Sequence, residues 1–358
     1  MGKSKWLCFG AGAIGTYLGG SLALAGEEVV FLEQPAALKP LLERGLRLDL
    51  SADRRRRVNE ALILAPGSVA FCGSLGEALD RGPFECALYA LKSFDTAKAL
   101  DAMRPFADRM PPVVCFSNGV ENEAALADVL GKAKVVAATV TSAIGRRGPG
   151  DIVLERLRGV GIASTHPLSE RFLETANAAK LNARGYSRAA AMKWSKMLGN
   201  LIANPTSAIL DMTAAEVLSH PAIYRLEIGM LRECLAVMRT MRIPVTDLPG
   251  TPVQALAFAI RLPAAISQPL LARVAGGGRG AKMPSFHIDL HSGRGQSEVE
   301  YLHGAVVRAG KKTGVPTPIN SFLTKTLLAL TRGEIALDHY ARQPDKLLAA
   351  LTSHPNLQ

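Results

Sequence analysis

Short apolar runs and longer stretches of helical spacing alternate through the first half of the chain. Positions 6–9 and 29–32 are apolar and strand-length. Positions 13–25 between them carry small and aliphatic residues throughout, as a helix buried on most faces would. Runs at 62–64, 87–91, 113–116 and 135–138 continue the series. Such runs, separated by helix-length segments, predict parallel β-α units with both faces of the sheet covered. Two further runs, 151–154 and 160–163, lie close together and predict an added antiparallel pair. From about Ala189 strand runs nearly vanish. Helical spacing takes over at 190–203, 221–241, 297–313 and 319–331, punctuated by Pro205, Pro244, Pro249, Pro263 and Pro316. The pattern predicts an α/β chain in two parts: a doubly wound sheet domain over residues 1–187 and an all-helical domain over 188–358, joined near Asn182 to Gly185.

The first strand runs into Gly10-Ala11-Gly12-Ala13-Ile14-Gly15, a complete G-x-G-x-x-G. Gly10 permits the tight turn, Gly12 lets a pyrophosphate approach the backbone, and Gly15 lets helix and sheet pack closely. The helix N-terminus offers unpaired N–H groups and a partial positive charge to the phosphates. A position after a strand and before a helix is the context a Rossmann-type dinucleotide site requires. Glu33 closes the second strand 18 residues after Gly15, where an acid that bonds the ribose hydroxyls is placed. A carboxylate there repels a 2′-phosphate and so favours NADH over NADPH. Lys39 and the run Arg54 to Arg57 are the groups within sequence reach of such a phosphate.

Composition changes this picture little. The chain has 358 residues, 48% hydrophobic and 20% charged, which is globular and long enough for two cores. The net charge of +11 divides as +3 before residue 187 and +8 after it. The basic residues are scattered and aromatics make up only 5%, so a nucleic-acid stacking platform is not expected, whereas small anionic ligands are. The densest basic run, Arg54 to Arg57, reads as a solvated loop. There are 5 cysteines and no C-x-x-C pair. Cys8, Cys86 and Cys115 sit in apolar runs, which points to buried thiols in a reducing compartment rather than disulfides or zinc. No run approaches the ~18 apolar residues of a membrane span, and the opening run is too short for a secretory signal. A cytoplasmic protein with neither a membrane nor a nucleic-acid partner is expected, and a homodimer is compatible with it.

The helical part opens on Lys193-Trp194-Ser195-Lys196-Met197-Leu198-Gly199-Asn200-Leu201-Ile202-Ala203-Asn204-Pro205. Lys196, Asn200 and Asn204 recur every four residues, so on one helix they form a single polar stripe with apolar flanks. A plain surface helix would carry more charge. Taken in order, the glycine motif, Leu91-Lys92-Ser93, Ser117-Asn118-Gly119, this helix, Pro284-Ser285-x-x-x-Asp289 and Glu298-Val299-Glu300-Tyr301-Leu302-x-Gly304 resemble the ketopantoate reductase (2-dehydropantoate 2-reductase) family. The resemblance runs from about residue 5 to 335.

That resemblance implies a helical domain of the 6-phosphogluconate dehydrogenase C-terminal type. It also implies an NADPH-dependent reduction of 2-dehydropantoate, a small anionic 2-oxo acid, to (R)-pantoate on the way to pantothenate and coenzyme A. Lys196 would be the general acid. Asn118, Asn200, Asn204 and Ser285 would hold the substrate. Glu298 would lie by cofactor and substrate, and Lys92, Asn118 and Ala143 would line the cofactor with Gly10 to Gly15. The residue types suit the chemistry. Hydride reaching a ketone carbon leaves an alkoxide that needs a proton and a positive charge in a dry cleft. A lysine kept protonated by a nearby carboxylate gives both.

Departures from the family pattern are local. Gln34 stands near the usual phosphate-binding arginine, Ala214 where a further substrate-side asparagine is usual, and His303 where asparagine is common. The stretch between Asp289 and Glu298 is one residue longer. A reductase of another small 2-oxo acid, or a non-catalytic dinucleotide sensor, are the alternative readings. His287 and His291 stand i, i+4, a ligand spacing, but no third ligand is evident along the chain, and no metal is expected. The glycine-rich basic segment 274–282 is expected to act as a lid.

Overall fold

The computed structural model describes residues 3–279 and 283–353. They form two compact units. The first comprises the chain up to Lys193 together with Leu248–Thr251, and the second Trp194–Asp247 with the chain from Pro252 onward. The division expected at 187/188 falls instead within the helix Ala189–Leu201. The reason is packing in the first unit. Met192 fills the space above Gly161, where an added Cβ would lie 2.9 Å from its sulfur, and Lys193 is buried with its ammonium on the Ser117 and Ala138 carbonyls. The short return Leu248–Thr251 joins this unit because the Pro249 carbonyl accepts from Thr141 Oγ1 at 2.8 Å.

Among the described residues of the first unit lie twelve strands: β1 (Lys5–Phe9), β2 (Glu28–Leu32), β3 (Leu46–Asp49), β4 (Leu62–Leu64), β5 (Ala70–Cys72), β6 (Cys86–Tyr89), β7 (Val113–Cys115), β8 (Val135–Val140), β9 (Ala143–Gly148), β10 (Asp151–Arg156), β11 (Val160–Ala163) and β12 (Ala183–Tyr186). Eight of them form one sheet in the order β12-β11-β8-β7-β6-β1-β2-β5. All its pairings are parallel except β8 with β11. Alternation along β1 sends Trp6 and Cys8 into the core on one face and Leu7 and Phe9 into the core on the other, as a sheet covered on both faces requires.

The remaining four strands form a second sheet, β4-β3-β10-β9. It is amphipathic. Leu46, Leu48, Ile152 and Leu154 are buried, while Arg47 pairs with Asp151 at 3.2 Å and Arg147 with Asp49 at 3.1 Å among its more exposed positions. Its presence corrects two expectations. Positions 62–64 are a strand of this sheet, not of the large one. Runs 151–154 and 160–163 are not partners: β10 pairs with β9 and β3, whereas β11 pairs with β8 and β12. Their closeness in sequence marks a crossing between sheets.

The helix Ala13–Leu24 packs against both sheets. An added Cβ at Gly19 would lie 2.6 Å from the Phe31 ring of β2, and one at Gly20 would lie 2.7 Å from Leu48 of β3. That double contact is why the helix carries small residues on nearly every face.

The second unit is helical among its described residues. The central helix Pro221–Thr240 buries a stripe from Ile223 to Met238 and packs against Val299–Thr313 and Pro318–Thr331. The segment expected to be a lid is helix as far as Arg279, at the end of Ala264–Arg279, and its remainder, 280–282, lies outside the described residues. Among the described residues, no helix is long and apolar enough to cross a membrane.

Candidate active site

In the first unit β1 sits between β2 and β6, so the chain order reverses there. In an open parallel sheet a ligand crevice opens at such a point, at the carboxyl ends of the strands. Three segments meet the requirement: the glycine loop after β1, Lys92 after β6 and Asn118 after β7.

The glycine loop fits a dinucleotide by its own geometry. Gly10 has φ +86°, a conformation that costs an L side chain strain. An added Cβ at Gly15 would lie 1.9 Å from the Gly10 carbonyl oxygen, so helix and turn can meet only over glycine. An added Cβ at Gly12 would meet nothing within 4 Å, which leaves the backbone open to a phosphate. Gly12 also gives the helix no side-chain cap, consistent with donors left for an anion.

Glu33 follows β2. Its Oε2 accepts from the Ala11 N–H at 2.6 Å and its Oε1 from the Gln34 N–H at 2.8 Å. The carboxylate thus anchors the glycine loop and stands at its rim.

The loops after β6 and β7 are stitched together. Ser117 Oγ donates to the Leu91 carbonyl at 2.8 Å, and Ser93 Oγ donates to the Asn118 carbonyl at 2.8 Å. Asn122 Nδ2 donates to the same Asn118 carbonyl at 2.7 Å. Lys92 and Asn118 are therefore held on one rigid platform, both half-buried. Ala143 begins β9 and is also half-buried.

Sequence reasoning missed Lys193. Its ammonium, 5% exposed, donates to the Ser117 carbonyl at 2.6 Å and pairs with Glu123 at 2.7 Å. Burial alone would push this ammonium's pKa down. The Glu123 carboxylate outweighs burial, and the net shift is upward. The residue fixes the Asn118 loop from beneath. The available signal was a lysine within the otherwise apolar and small sequence 189–194.

Arg54, Arg55 and Arg57 are exposed, as expected of this run, but Arg55 and the half-buried Arg56 are also engaged within the unit. Asp53 is buried, and Arg55 clasps it with Nε at 2.8 Å and Nη2 at 2.9 Å. Arg55 and Arg56 also donate to the carbonyls of Lys180 and Ala179, just past the helix Leu168–Ala178, each at 2.6 Å. These two guanidiniums compensate the negative end of that helix. They are committed within the unit rather than held ready for a 2′-phosphate.

All five cysteines are buried and unpaired, as the apolar runs implied, and burial pushes the thiols of Cys8, Cys86 and Cys115 well up.

In the second unit the polar stripe is not on one helix. The helix Ala189–Leu201 carries Lys196 and Asn200, both half-buried. The chain then breaks at Ala203, at φ +54°, and Asn204 opens a new helix, Asn204–Leu210. Pro205 fits the break, since it has no N–H to donate back to the preceding turn and stands in the first turn of the new helix, where no such bond is made. The broken turn is held by Glu227, whose side chain is wholly buried. Its carboxylate accepts from the Ala203 N–H at 2.7 Å and the Thr206 hydroxyl at 2.6 Å. Burial pushes this carboxyl up to about 7, against the pull of those two donors.

Asn204 brings part of the predicted site together. Its Nδ2 donates to the Asn200 carbonyl at 3.1 Å and to Ser285 Oγ at 3.3 Å, while its Oδ1 accepts from the Phe286 N–H at 3.1 Å. Ser285 opens the helix Ser285–Leu290 and is exposed. Glu298 is 1% exposed and precedes the helix Val299–Thr313, whose first N–H donates to Ser297 Oγ at 3.2 Å. His303 is buried and bonded through Nδ1 to Asn320 at 2.9 Å. Burial pulls its pKa down to about 3, so it is a neutral packing residue. Ala214 opens the short helix Ala214–Ser219 behind a capping box of Thr213 and Glu216.

A family model described as Ketopantoate reductase PanE/ApbA matches residues 6–165, and one described as Ketopantoate reductase PanE/ApbA C terminal matches 188–331. A 2-dehydropantoate 2-reductase of Mesorhizobium japonicum is 25% identical over 342 residues, which is 88% of this chain and 94% of the relative. One of Lactococcus lactis is 23% identical over 324 residues, again 88% of this chain and 94% of the relative. The crystal structure of a PanE/ApbA family ketopantoate reductase from Ralstonia eutropha aligns with a TM-score of 0.75 at 25% identity, over 92% of this chain and 99% of that one.

Proposed function

The chain belongs to the ketopantoate reductase PanE/ApbA family of nicotinamide-dependent oxidoreductases, and from that premise we propose that it reduces 2-dehydropantoate to (R)-pantoate, a step of pantothenate biosynthesis, with NADH as preferred donor. The observation that carries this reading is the placement of Lys196 one helical turn before Asn200, which Asn204 ties to Ser285. Hydroxyl and amide groups of this kind bind a carboxylate and a hydroxyl without titrating.

The dinucleotide, when bound, supplies the hydride. The glycine loop from Gly10 to Gly15 would hold its pyrophosphate. Glu33 would accept from its ribose hydroxyls, and Lys92, Asn118 and Ala143 would line it. Asn118, Asn200, Asn204 and Ser285 orient the 2-oxo acid. As hydride reaches the C2 carbon, Lys196 Nζ gives a proton to the carbonyl oxygen, and water later restores the ammonium. Glu298 would lie by the cofactor and the substrate. The preference for NADH rests on the Glu33 carboxylate, on Gln34 in place of an arginine, and on Arg55 and Arg56 being engaged with Asp53.

The test is oxidation of NADH and NADPH, followed at the nicotinamide absorbance, with 2-dehydropantoate and a panel of other 2-oxo acids. The highest kcat/KM is expected for 2-dehydropantoate with NADH. A higher value for another 2-oxo acid reassigns the substrate. Tight cofactor binding without oxidation by any of them overturns catalysis itself.

A further inference from the structure

Outside the residues assigned to hydride transfer, the helices Asn204–Leu210 and Ser285–Leu290 lie against each other and are joined at both ends. Their N-termini meet through Asn204 and Ser285. At their C-termini stand Asp211, His287 and His291, each offering a ligand atom within 4.8 Å of the others. We propose that these three residues form a binding site for a divalent transition ion of the zinc class.

The third ligand, invisible in the sequence, is Asp211, 76 residues from His287. Its Oδ1 lies 2.8 Å from His287 Nε2. The spacing i, i+4 brings His291 over the same spot, with the two imidazole rings 4.2 Å apart and inclined at 41°.

An ion pair with Asp211 needs only one imidazole. A second imidazole at the same carboxylate gives a divalent ion two nitrogens and one oxygen to bind. A tetrahedral zinc with bonds of 2.0–2.1 Å sets its ligand atoms about 3.3 Å apart. The carboxylate, 53% exposed, can rotate to that spacing. The donor set of two nitrogens and one oxygen selects zinc, cobalt or nickel over magnesium or calcium, which take oxygen shells. Three protein ligands leave the fourth position to water.

The backbone is already set. Asp211 is fixed at φ +49°, the Met212 N–H donates to the Ser207 carbonyl at 3.2 Å, and the Arg342 N–H donates to the Leu210 carbonyl at 2.7 Å. The His291 N–H donates to the His287 carbonyl at 3.0 Å. A bound ion would therefore fasten the two helices at the ends opposite the Asn204–Ser285 contact.

The experiment uses tag-free full-length protein stripped with a chelator, titrated with cobalt(II) by absorbance and zinc(II) by calorimetry. One equivalent is expected, with cobalt bands of tetrahedral intensity. His287→Ala and His291→Ala should each weaken binding about 100-fold, one ligand's share of the affinity of such a site. Asp211→Asn should weaken it in the same direction, and zinc should raise Tm in the wild type but not in His291→Ala. Circular dichroism checks that each variant is folded. Absence of cobalt bands and of binding heat at equimolar ion overturns the proposal. So does an affinity that neither histidine substitution changes.

Discussion

Glu227→Gln is the most informative single perturbation of the second unit. The wild-type carboxyl is wholly buried and its pKa is raised from 4.5 to about 7, mainly by burial. For a raised acid, the folded state holds the proton more tightly than the unfolded chain. Its stabilising contribution is complete below pH 4.5 and is lost as pH rises through about 7. At 1.36 kcal/mol per pKa unit, the loss across that window is about 3 kcal/mol. Glutamine has nearly the same shape, can accept from the Ala203 N–H and can donate to the Thr206 oxygen, but it does not titrate. Urea midpoints of wild type and Glu227→Gln, measured at intervals from pH 5 to 8, should therefore diverge. The variant should gain on the wild type by about 2–3 kcal/mol between the ends of that range, with most of the change below pH 7. A difference between the two proteins that stays constant with pH would refute the assignment of this titration to Glu227. Glu227→Ala is the contrasting control. It leaves the Ala203 N–H and the Thr206 hydroxyl without their acceptor, at about 1–3 kcal/mol each, and should destabilise at every pH.

Lys196→Ala should lower kcat by about 10²–10⁴ while the dissociation constant for the dinucleotide stays unchanged, and wild-type turnover in this variant would remove Lys196 from the chemistry. Glu33→Ala should move the ratio of kcat/KM values toward NADPH and also weaken NADH, because the Ala11 N–H loses its acceptor; an unchanged ratio would dissociate Glu33 from cofactor choice. Lys193→Met strands the Glu123 carboxylate and should cost about 3–5 kcal/mol, with much of it recovered in the double variant Lys193→Met/Glu123→Leu. Urea unfolding of the three proteins measures this, and a double variant no better than the single one would show that the lysine acts otherwise than by pairing.

The large sheet was legible because its strands are buried on both faces and read as continuous apolar runs, as at 113–115 and 86–89. Of the second sheet, only β4 and β10 were legible, as the runs at 62–64 and 151–154, and not as members of a separate sheet. Its β3 reads Leu-Arg-Leu-Asp, half polar and only four residues long, and β9 carries Arg146 and Arg147 among glycines. Period-2 alternation over so few residues is indistinguishable from loop. The pairing of β10 and β11 was misread for a related reason. Sequence closeness favours a hairpin, but here the two runs belong to different sheets, although Ile152 and Leu154 of β10 and Val160 and Ile162 of β11 fill one common core, so burial pattern alone does not reveal the partner strands. Arg55 and Arg56 show the same limit for charge. The run is mostly exposed, as its charge implied, but the sequence gives no sign that a buried Asp53 and two helix-end carbonyls face two of its guanidiniums.

At the candidate site, the i, i+4 spacing of Lys196, Asn200 and Asn204 identified the right residues through a helix that does not exist as one piece. The stripe survives the break because Asn204 Nδ2 donates to the Asn200 carbonyl, the acceptor that the absent Asn204 helical N–H would have used. The side chain thus stands in for the backbone across the turn. Two further groups make that substitution stable: Pro205, which is visible in the sequence, and Glu227, which is not, since an acid 24 residues after Ala203 in an apolar helical stripe gives no sign of its partner. The same break turns the next helix so that Asn204 faces Ser285 and Asp211 faces His287. An uninterrupted helix would carry Asn204 onward along the original axis and could make neither contact. The polar cluster read as a substrate site and the ligand cluster read as a metal site therefore depend on one backbone event at Ala203, and Glu227→Ala should disturb both together. Zinc affinity and KM for the 2-oxo acid should worsen in parallel in that variant. A change in one with the other intact would separate the two ends of the helix pair.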